Sequence, residues 1–442
     1  MITSSGHRVW VTMLANSNSM LAASLKTVTI RLTRMRRLSH TLPTIFSLLD
    51  TSAFGGAEQY LLTQCLELGQ RGFPLVIATN NTQVKKIYQA AFSQHQLVNA
   101  QVINAPYRLD FIGNWQGLIK FMISWPRAVI WLCRTLWQLP HHSTICYWPG
   151  FCDRLLFSPL AKAFGNKLIW IEFGPLTPTF SKNWGLPKLF YFLVKHLPDH
   201  IITISQHTYR DLRITGHMQS SKISLIYPGI KSMGRSQLLY LRKHGRNWWK
   251  RRYPGKKYWL VWMGRLADEN QTDLVIRAVA KLPTGWLAKT QLLIVGGGSC
   301  RSHLHQLTDQ LGICRHVTFT GFVSEKIKIA LLASATLFVF TRTWELEGLG
   351  LSTLEAMAAG SPVIVPNFGP QTEIIKHCRN GLLFAPNNVK DLTKQILIYL
   401  KNSSLRKRMT ESARSTIHNQ FNYQKSIVQL IKVLTATTPN KF

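Results

Sequence analysis

Short apolar runs of strand length alternate with helix-length segments along most of this sequence, and the pattern runs through twice. The first series opens at Thr44-Ile-Phe-Ser-Leu-Leu-Asp50, which reads as a buried strand. A Gly55-Gly56 turn follows, then a helix from Ala57 with Tyr60, Leu61, Leu62, Cys65, Leu66 and Leu68 at helical spacing, ended by Arg71-Gly72. Pro74-Leu-Val-Ile-Ala-Thr79 is the next strand, and later ones are expected at 200–205 and 222–227. Strand, helix and strand on short links specify a parallel sheet, because parallel neighbours need a crossover and a helix fills it. The second series predicts strands at 258–263, 291–295, 316–320, 336–340, 362–365 and 381–384, with helices between them and two more after Asp391. A chain of 442 residues exceeds what one core usually organises. The expected class is therefore α/β, with two Rossmann-like parallel-sheet domains that bind ligands beyond the carboxyl ends of their strands.

Between Asp211 and Asp268 no acid occurs, and Pro228-Gly229 and Pro254-Gly255 punctuate a strongly basic stretch that reads as loop. The expected organisation is a basic, disordered extension over 1–42 (Met35 being an alternative start), a first domain over 43–228, a basic linker over 229–257 and a second domain over 258–442. Lys and Arg number 53 against 19 Asp and Glu, a formal net charge of +34. Such a charge favours anionic partners: nucleic acid, acidic lipid or a phosphate-bearing substrate. The seven cysteines form no CxxC pair, so neither a disulfide framework nor a zinc site is expected, and a reducing, cytoplasmic setting fits. The best apolar run, 329–341, lies between Lys328 and Arg342 and is too short to span a bilayer.

The densest chemical feature is Trp344-Glu-Leu-Glu-Gly-Leu-Gly-Leu-Ser-Thr-Leu-Glu-Ala-Met-Ala-Ala-Gly-Ser-Pro-Val363. Glu345, Glu347 and Glu355 crowd together in a chain short of acids. Glu347 stands at the carboxyl end of an expected strand, Gly348-Leu349-Gly350 forms the turn, and Glu355 lies in the first turns of the next helix. Free N–H groups at that helix start suit anionic oxygens, and each carboxylate can accept two hydroxyl hydrogen bonds. An acidic helix start that merely favours the dipole is the plainer reading. It accounts for Glu355 and leaves the glycine-rich approach unexplained.

Glu347 and Glu355, spaced E-x7-E and followed by Ala-Met-Ala-Ala-Gly-Ser-Pro-Val363, closely resemble the retaining glycosyltransferases of group 1, or family 4, which have the GT-B fold. The resemblance extends over about residues 44–435. Gly55-Gly56-Ala57-Glu58, Pro198-Asp199 to Ser205, Met263-Gly264-Arg265-Leu266 and Ile294-Val-Gly-Gly-Gly-Ser299 follow the family's order. Asn367-Phe-Gly-Pro-Gln-Thr-Glu373 and Asn380-Gly381-Leu382 continue it. The resemblance implies two domains facing a central cleft, with the acceptor on the first and a nucleoside-diphosphate sugar on the second. It implies retaining transfer of a hexose to a hydroxyl acceptor, lipid-linked or polysaccharide, with no cofactor and no metal; the absence of a DxD motif agrees. Glu347 is then expected on the donor sugar's hydroxyls, Glu355 on the ribose and Arg265 on the diphosphate. Gly296, Gly297, Gly298 and Ser299 would form the donor's glycine loop, Gly348, Leu349 and Gly350 its turn, and Gly55 and Gly56 a loop near the phosphates. A surface arginine and plain strand-to-helix turns are the unremarkable readings of Arg265 and the glycines.

Two positions depart from the family. A lysine usually stands five residues after the phosphate arginine, where this chain has Asn270, and no lysine follows until Lys281. A degenerate, carbohydrate- or nucleotide-binding subunit is the alternative that this substitution raises. Where the family often has a histidine near the acceptor, Ile169-Trp-Ile-Glu-Phe-Gly174 places Glu172, a base or hydroxyl ligand for the acceptor or else a strand-end carboxylate.

Residues 111–152 hold no acid, yet contain Trp115, Trp125, Trp131, Trp137 and Trp148, with Lys120, Arg127 and Arg134 at steps of seven. Tryptophan beside a basic stripe suits the headgroup region of an anionic bilayer, and a core-facing helix is the alternative. Arg246-Asn-Trp-Trp-Lys-Arg-Arg252 could meet nucleic acid, but no nucleic-acid motif accompanies it, so a membrane-face setting is the expectation.

Overall fold

The computed structural model describes residues 42–51, 54–107, 115–140, 144–181 and 185–436. The extension expected over 1–42 lies outside the described residues except for Leu42.

The first sheet has seven strands, β1 (Thr44–Leu49), β2 (Leu75–Thr79), β3 (Ala100–Asn104), β4 (Thr144–Trp148), β5 (Lys167–Glu172), β6 (His200–Thr203) and β7 (Ile223–Leu225), in the order β3-β2-β1-β4-β5-β6-β7. The pairs β1–β2, β2–β3, β1–β4 and β4–β5 are parallel. β1, β2 and β4 are buried at every position, which is why they read as continuous apolar runs and not as alternation. The crossovers include helices α1 (Gly56–Gln70), α2 (Trp115–Gln138), α3 (Phe151–Ala163) and α4 (Gln206–Ile214). At the start of α1 the Glu58 carboxylate reaches back to accept the Gly55 N–H at 2.9 Å.

The expected tryptophan-rich segment is helical in α2. Ala128, Leu132 and Leu136 are buried, while Ile123, Trp125, Ile130 and Trp137 are exposed on the same helix as exposed Arg127 and Arg134. Trp148 is fully buried in β4 and belongs to the core. The side chains of Trp115 and Lys120 lie outside the described residues.

The stretch read as loop is folded. Helix α5 (Arg235–Arg252) occupies most of it, and the two Pro-Gly pairs flank the helix. α5 packs on α6 (Glu325–Ser334): the buried Trp249 indole donates to Ser334 Oγ at 2.8 Å, and Arg242 Nε donates to the Ala333 carbonyl at 3.1 Å. Its charge hid it from the sequence reading, because a basic run looks solvated whether or not one face is buried.

The second sheet has six strands, β8 (Tyr258–Met263), β9 (Thr290–Val295), β10 (Val317–Gly321), β11 (Leu337–Val339), β12 (Val363–Pro366) and β13 (Leu382–Phe384), in the order β10-β9-β8-β11-β12-β13. All five pairings are parallel. α7 (Leu351–Ala359) connects β11 to β12. Three helices follow β13: α8 (Val389–Lys401), α9 (Ser403–Gln420) and α10 (Tyr423–Ala436). The break between α8 and α9 falls at Asn402, whose Oδ1 accepts the Leu405 N–H at 2.8 Å as an N-cap.

The chain forms two compact units, the first comprising the described residues within Met1–Ile171, Ser181–Ile201 and Val433–Phe442, the second Glu172–Phe180 with Ile202–Lys432. α4 is fastened inside the second unit by Glu373, whose carboxylate accepts the N–H groups of Gln206 and His207 at 2.8 and 2.5 Å and the Tyr227 hydroxyl at 3.1 Å. No helix among the described residues is long and apolar enough to cross a membrane.

Candidate functional site

The carboxyl ends of β8, β9 and β11 carry most of the residues singled out by the sequence. Two loops interlock there. Gly296 has φ +128° and Gly298 φ +157°, and Cβ atoms on them would fall 1.9 Å from the Gly264 carbonyl oxygen and 2.2 Å from that of Leu266. Leu266 N donates to the Gly297 carbonyl at 2.9 Å, and Cys300 N to the Leu266 carbonyl at 3.0 Å. Gly296 and Gly298 are thus required by contact between the loops themselves, before any ligand is considered. Ser299 follows on the exposed side.

Arg265, just past β8, is more than half exposed and pairs with Glu269 at 2.7 Å. Asn270 points the other way. It is buried, its Nδ2 donates to the Arg265 carbonyl at 2.6 Å, and its own carbonyl accepts from Thr341 Oγ1 at 2.8 Å. The Trp262 indole completes the chain by donating to Thr341 Oγ1 at 2.9 Å. Asn270 therefore braces the arginine loop through neutral hydrogen bonds, a task that a lysine's donor-only head could fill only by burying its charge.

Beyond β11 the chain continues through Phe340 and Thr341 to Arg342, whose Nε lies 2.9 Å from Glu347 Oε2. The charges meet, but the N–H is not aimed along a hydrogen bond. The Arg342 guanidinium also sits 4.3 Å from the centre of the Trp344 ring. Burial pushes the Glu347 carboxyl up, opposed by Arg342 and by the N–H groups of Gly350 and Leu349. Burial pulls the Arg342 guanidinium down; Glu347 and Glu269 oppose this, and the Arg265 charge adds to it. Gly348, Leu349 and Gly350 form the turn into α7, with Gly350 as its N-cap.

Glu355, on α7, accepts from Lys328 Nζ of α6 at 2.9 Å, and Lys328 also meets Glu325 at 2.9 Å. Burial raises the Glu355 carboxyl, and Lys328 holds it back. Glu345 is exposed. Glu172 is buried at the end of β5, and the backbone just after it, at Phe173 and Gly174, packs closely on Gly348 and Leu346 within the second unit. Gly55 and Gly56 start α1 in the first unit and are exposed.

The structure thus gathers Arg265, Asn270, Gly296, Gly297, Gly298, Ser299, Glu347 and Glu355 on one edge of the second sheet. Sequence reasoning missed Arg342, Glu269 and Lys328. A signal for two of them was present: Lys328 and Arg342 are the charges that bound the apolar run ending in β11, and a charge at a strand's carboxyl end is where such folds place ligand contacts.

Residues 246–416, less than half of the chain, match the family described as "Glycosyl transferases group 1". An uncharacterised glycosyltransferase of Methanocaldococcus jannaschii is 31% identical over 174 residues, covering 39% of this chain and 44% of the relative. The GDP-mannose-dependent alpha-(1-6)-phosphatidylinositol monomannoside mannosyltransferase of Mycobacterium tuberculosis is 34% identical over 157 residues, 34% of this chain and 40% of the relative. The chain spans less than half the length of both curated relatives. Among solved structures, Anabaena HepE in complex with UDP and glucose superposes with a TM-score of 0.71 at 18% identity, over 89% of this chain and 100% of that one. At that identity the likeness speaks for the fold.

Sheets and site together define a protein of GT-B fold, with two Rossmann-like units. The family that its second half resembles is the group 1 glycosyltransferases, as the motifs around Glu347 and Arg265 indicated.

Proposed function

We propose that the protein transfers a hexose from a nucleoside-diphosphate sugar to a hydroxyl acceptor, with retention at the anomeric carbon. The observation that carries this reading is the desolvated Glu347 carboxylate, set beside the Arg342 guanidinium at the carboxyl edge of the second sheet. A carboxylate there can accept hydrogen bonds from sugar hydroxyls, while arginine suits a diphosphate. As the anomeric C–O bond breaks, its electron pair passes to the departing phosphate oxygen. Arg265 stabilises that charge, together with the N-terminal end of α7 and without a metal. The acceptor's oxygen bonds to the anomeric carbon on the same face, and its proton passes to that phosphate oxygen, or to Glu172 where Glu172 serves as the base. Glu355 holds the ribose on the face that Lys328 leaves open, and Glu172 faces the acceptor as base or hydroxyl ligand.

These relatives support a nucleotide-sugar donor: one is GDP-mannose-dependent, and the Anabaena structure holds UDP and glucose. A phosphatidylinositol mannoside acceptor in the mycobacterial relative supports a lipid-linked acceptor here. The exposed Ile123, Ile130 and Trp137 beside Arg127 and Arg134 on α2 support peripheral binding to an anionic membrane at its cytoplasmic face. A thermal-unfolding screen against UDP-, GDP- and ADP-sugars tests the donor reading. A ligand at 100 times its dissociation constant adds about 2.7 kcal/mol of stability, and no shift with any of the three overturns it.

A further inference from the structure

The nucleotide-sugar reading leaves a question of charge. A diphosphate departing with a full negative charge needs cations, and Arg265 is one. Asn270 supplies none, because its side chain is buried and committed to the Arg265 carbonyl. Arg342 lies one residue beyond Thr341, the residue whose hydroxyl joins Trp262 to Asn270. That chain of hydrogen bonds fixes the backbone at Arg342 relative to the loop of Arg265.

We infer that Arg342 is the second cation of the donor site, held against Glu347 and passed to the sugar-linked phosphate when the donor binds. The inference rests on the nucleotide-sugar reading above. Several observations support it. The Arg342 Nε, 2.9 Å from Glu347, makes no aligned hydrogen bond, so donors of the guanidinium fork remain to be used. The flat face of the fork rests on Trp344, which orients it without consuming an N–H group. The Arg265 charge is near enough to disfavour that of Arg342, a repulsion that Glu347 and Glu269 oppose. A diphosphate would relieve that repulsion. Sugar hydroxyls arriving at Glu347 would occupy the carboxylate while the phosphate attached to the same sugar takes Arg342. One residue pair would thus read the sugar and its leaving group together.

The test is titration of UDP, GDP and ADP, each against its monophosphate, with wild type, Arg342→Gln, Arg342→Lys and Asn270→Lys. The ratio of diphosphate to monophosphate affinity should fall about tenfold or more in Arg342→Gln. It should fall about threefold in Arg342→Lys, which keeps the charge and loses the fork. Asn270→Lys should leave the ratio within about twofold, because that side chain is turned into the loop. Should Arg342→Gln fail to fold, Arg342→Lys carries the test, and an unchanged ratio there overturns the inference. A folded Arg342→Gln protein with the wild-type ratio also overturns it. If wild type binds none of the nucleotides, the donor reading itself falls and takes this inference with it.

Discussion

Arg342 and Glu347 form an ion pair at 2.9 Å, with the arginine delivered by the end of β11 and the glutamate by the turn into α7. The pair places a desolvated carboxylate and a cation side by side on the edge where parallel sheets of this kind bind ligands. Glu347→Gln keeps the shape and removes the charge. It should lower transfer about 10²–10³-fold, by analogy with the loss of one transition-state hydrogen-bond partner, while circular dichroism stays unchanged. Radiolabelled sugar transfer beside the spectrum checks this; near-normal turnover would remove Glu347 from the site.

Asn270→Lys addresses the degenerate-subunit alternative. Wild type should already release nucleoside diphosphate, and the lysine should change that rate by no more than about threefold, because the position braces a loop. The same substitution should cost about 1–3 kcal/mol or more in unfolding experiments, because a lysine turned into the loop must bury its charge beside the Arg265 carbonyl. An inactive wild type rescued by the lysine would favour the binding-subunit reading.

The two-sheet architecture was legible because buried parallel strands are short apolar runs. The second-sheet strands expected from the sequence recur within a residue or two in β8 to β13. Helix α5 was not legible, since its buried Trp249 stands in a run of arginine and lysine and needs Ser334, far along the chain, to declare its role. Glu347 and Glu355 could be singled out by local spacing. Their cations were marked only as the charges bounding an apolar run, and their partners were not: Lys328 reaches Glu355 from another helix, and Arg342 follows the end of a strand. The role of Asn270 was also hidden, because it depends on Thr341, which lies three strands later in the sequence, just past β11, and is brought beside Trp262 by the pairing of β11 with β8.

Asp153, at the start of α3, is completely buried, and burial together with Asp50 pushes its carboxyl up to about 8, against the opposing charge of Arg154. Its pKa is higher folded than unfolded, so the folded state holds a proton that the unfolded chain has released. The stability it contributes is complete below the ordinary carboxyl range and is lost as pH rises toward about 8. Thermal unfolding at pH 5 and pH 8 should therefore show a larger fall for wild type than for Asp153→Asn. Equal falls would place the carboxyl in its ordinary range.

The exposed face of α2 should hold the protein on anionic vesicles. Sedimentation with phosphatidylserine-containing liposomes should exceed that with phosphatidylcholine alone and weaken with salt, since surface attraction decays over about 8 Å at physiological ionic strength. Trp137→Ser with Arg134→Glu should reduce it about fivefold or more, at a site already facing solvent. Equal sedimentation with both lipids would contradict a membrane role for α2.

Proton NMR of wild-type protein incubated with each nucleotide sugar tests the central claim most directly. For the donor that stabilises the protein, the anomeric signal of the nucleotide sugar should disappear as free nucleoside diphosphate accumulates. The newly formed sugar product, with water or an added alcohol as acceptor, should first appear with the donor's own anomeric configuration. An inverted product would contradict the retaining mechanism, and an unchanged spectrum with every donor would contradict the assignment as a glycosyltransferase.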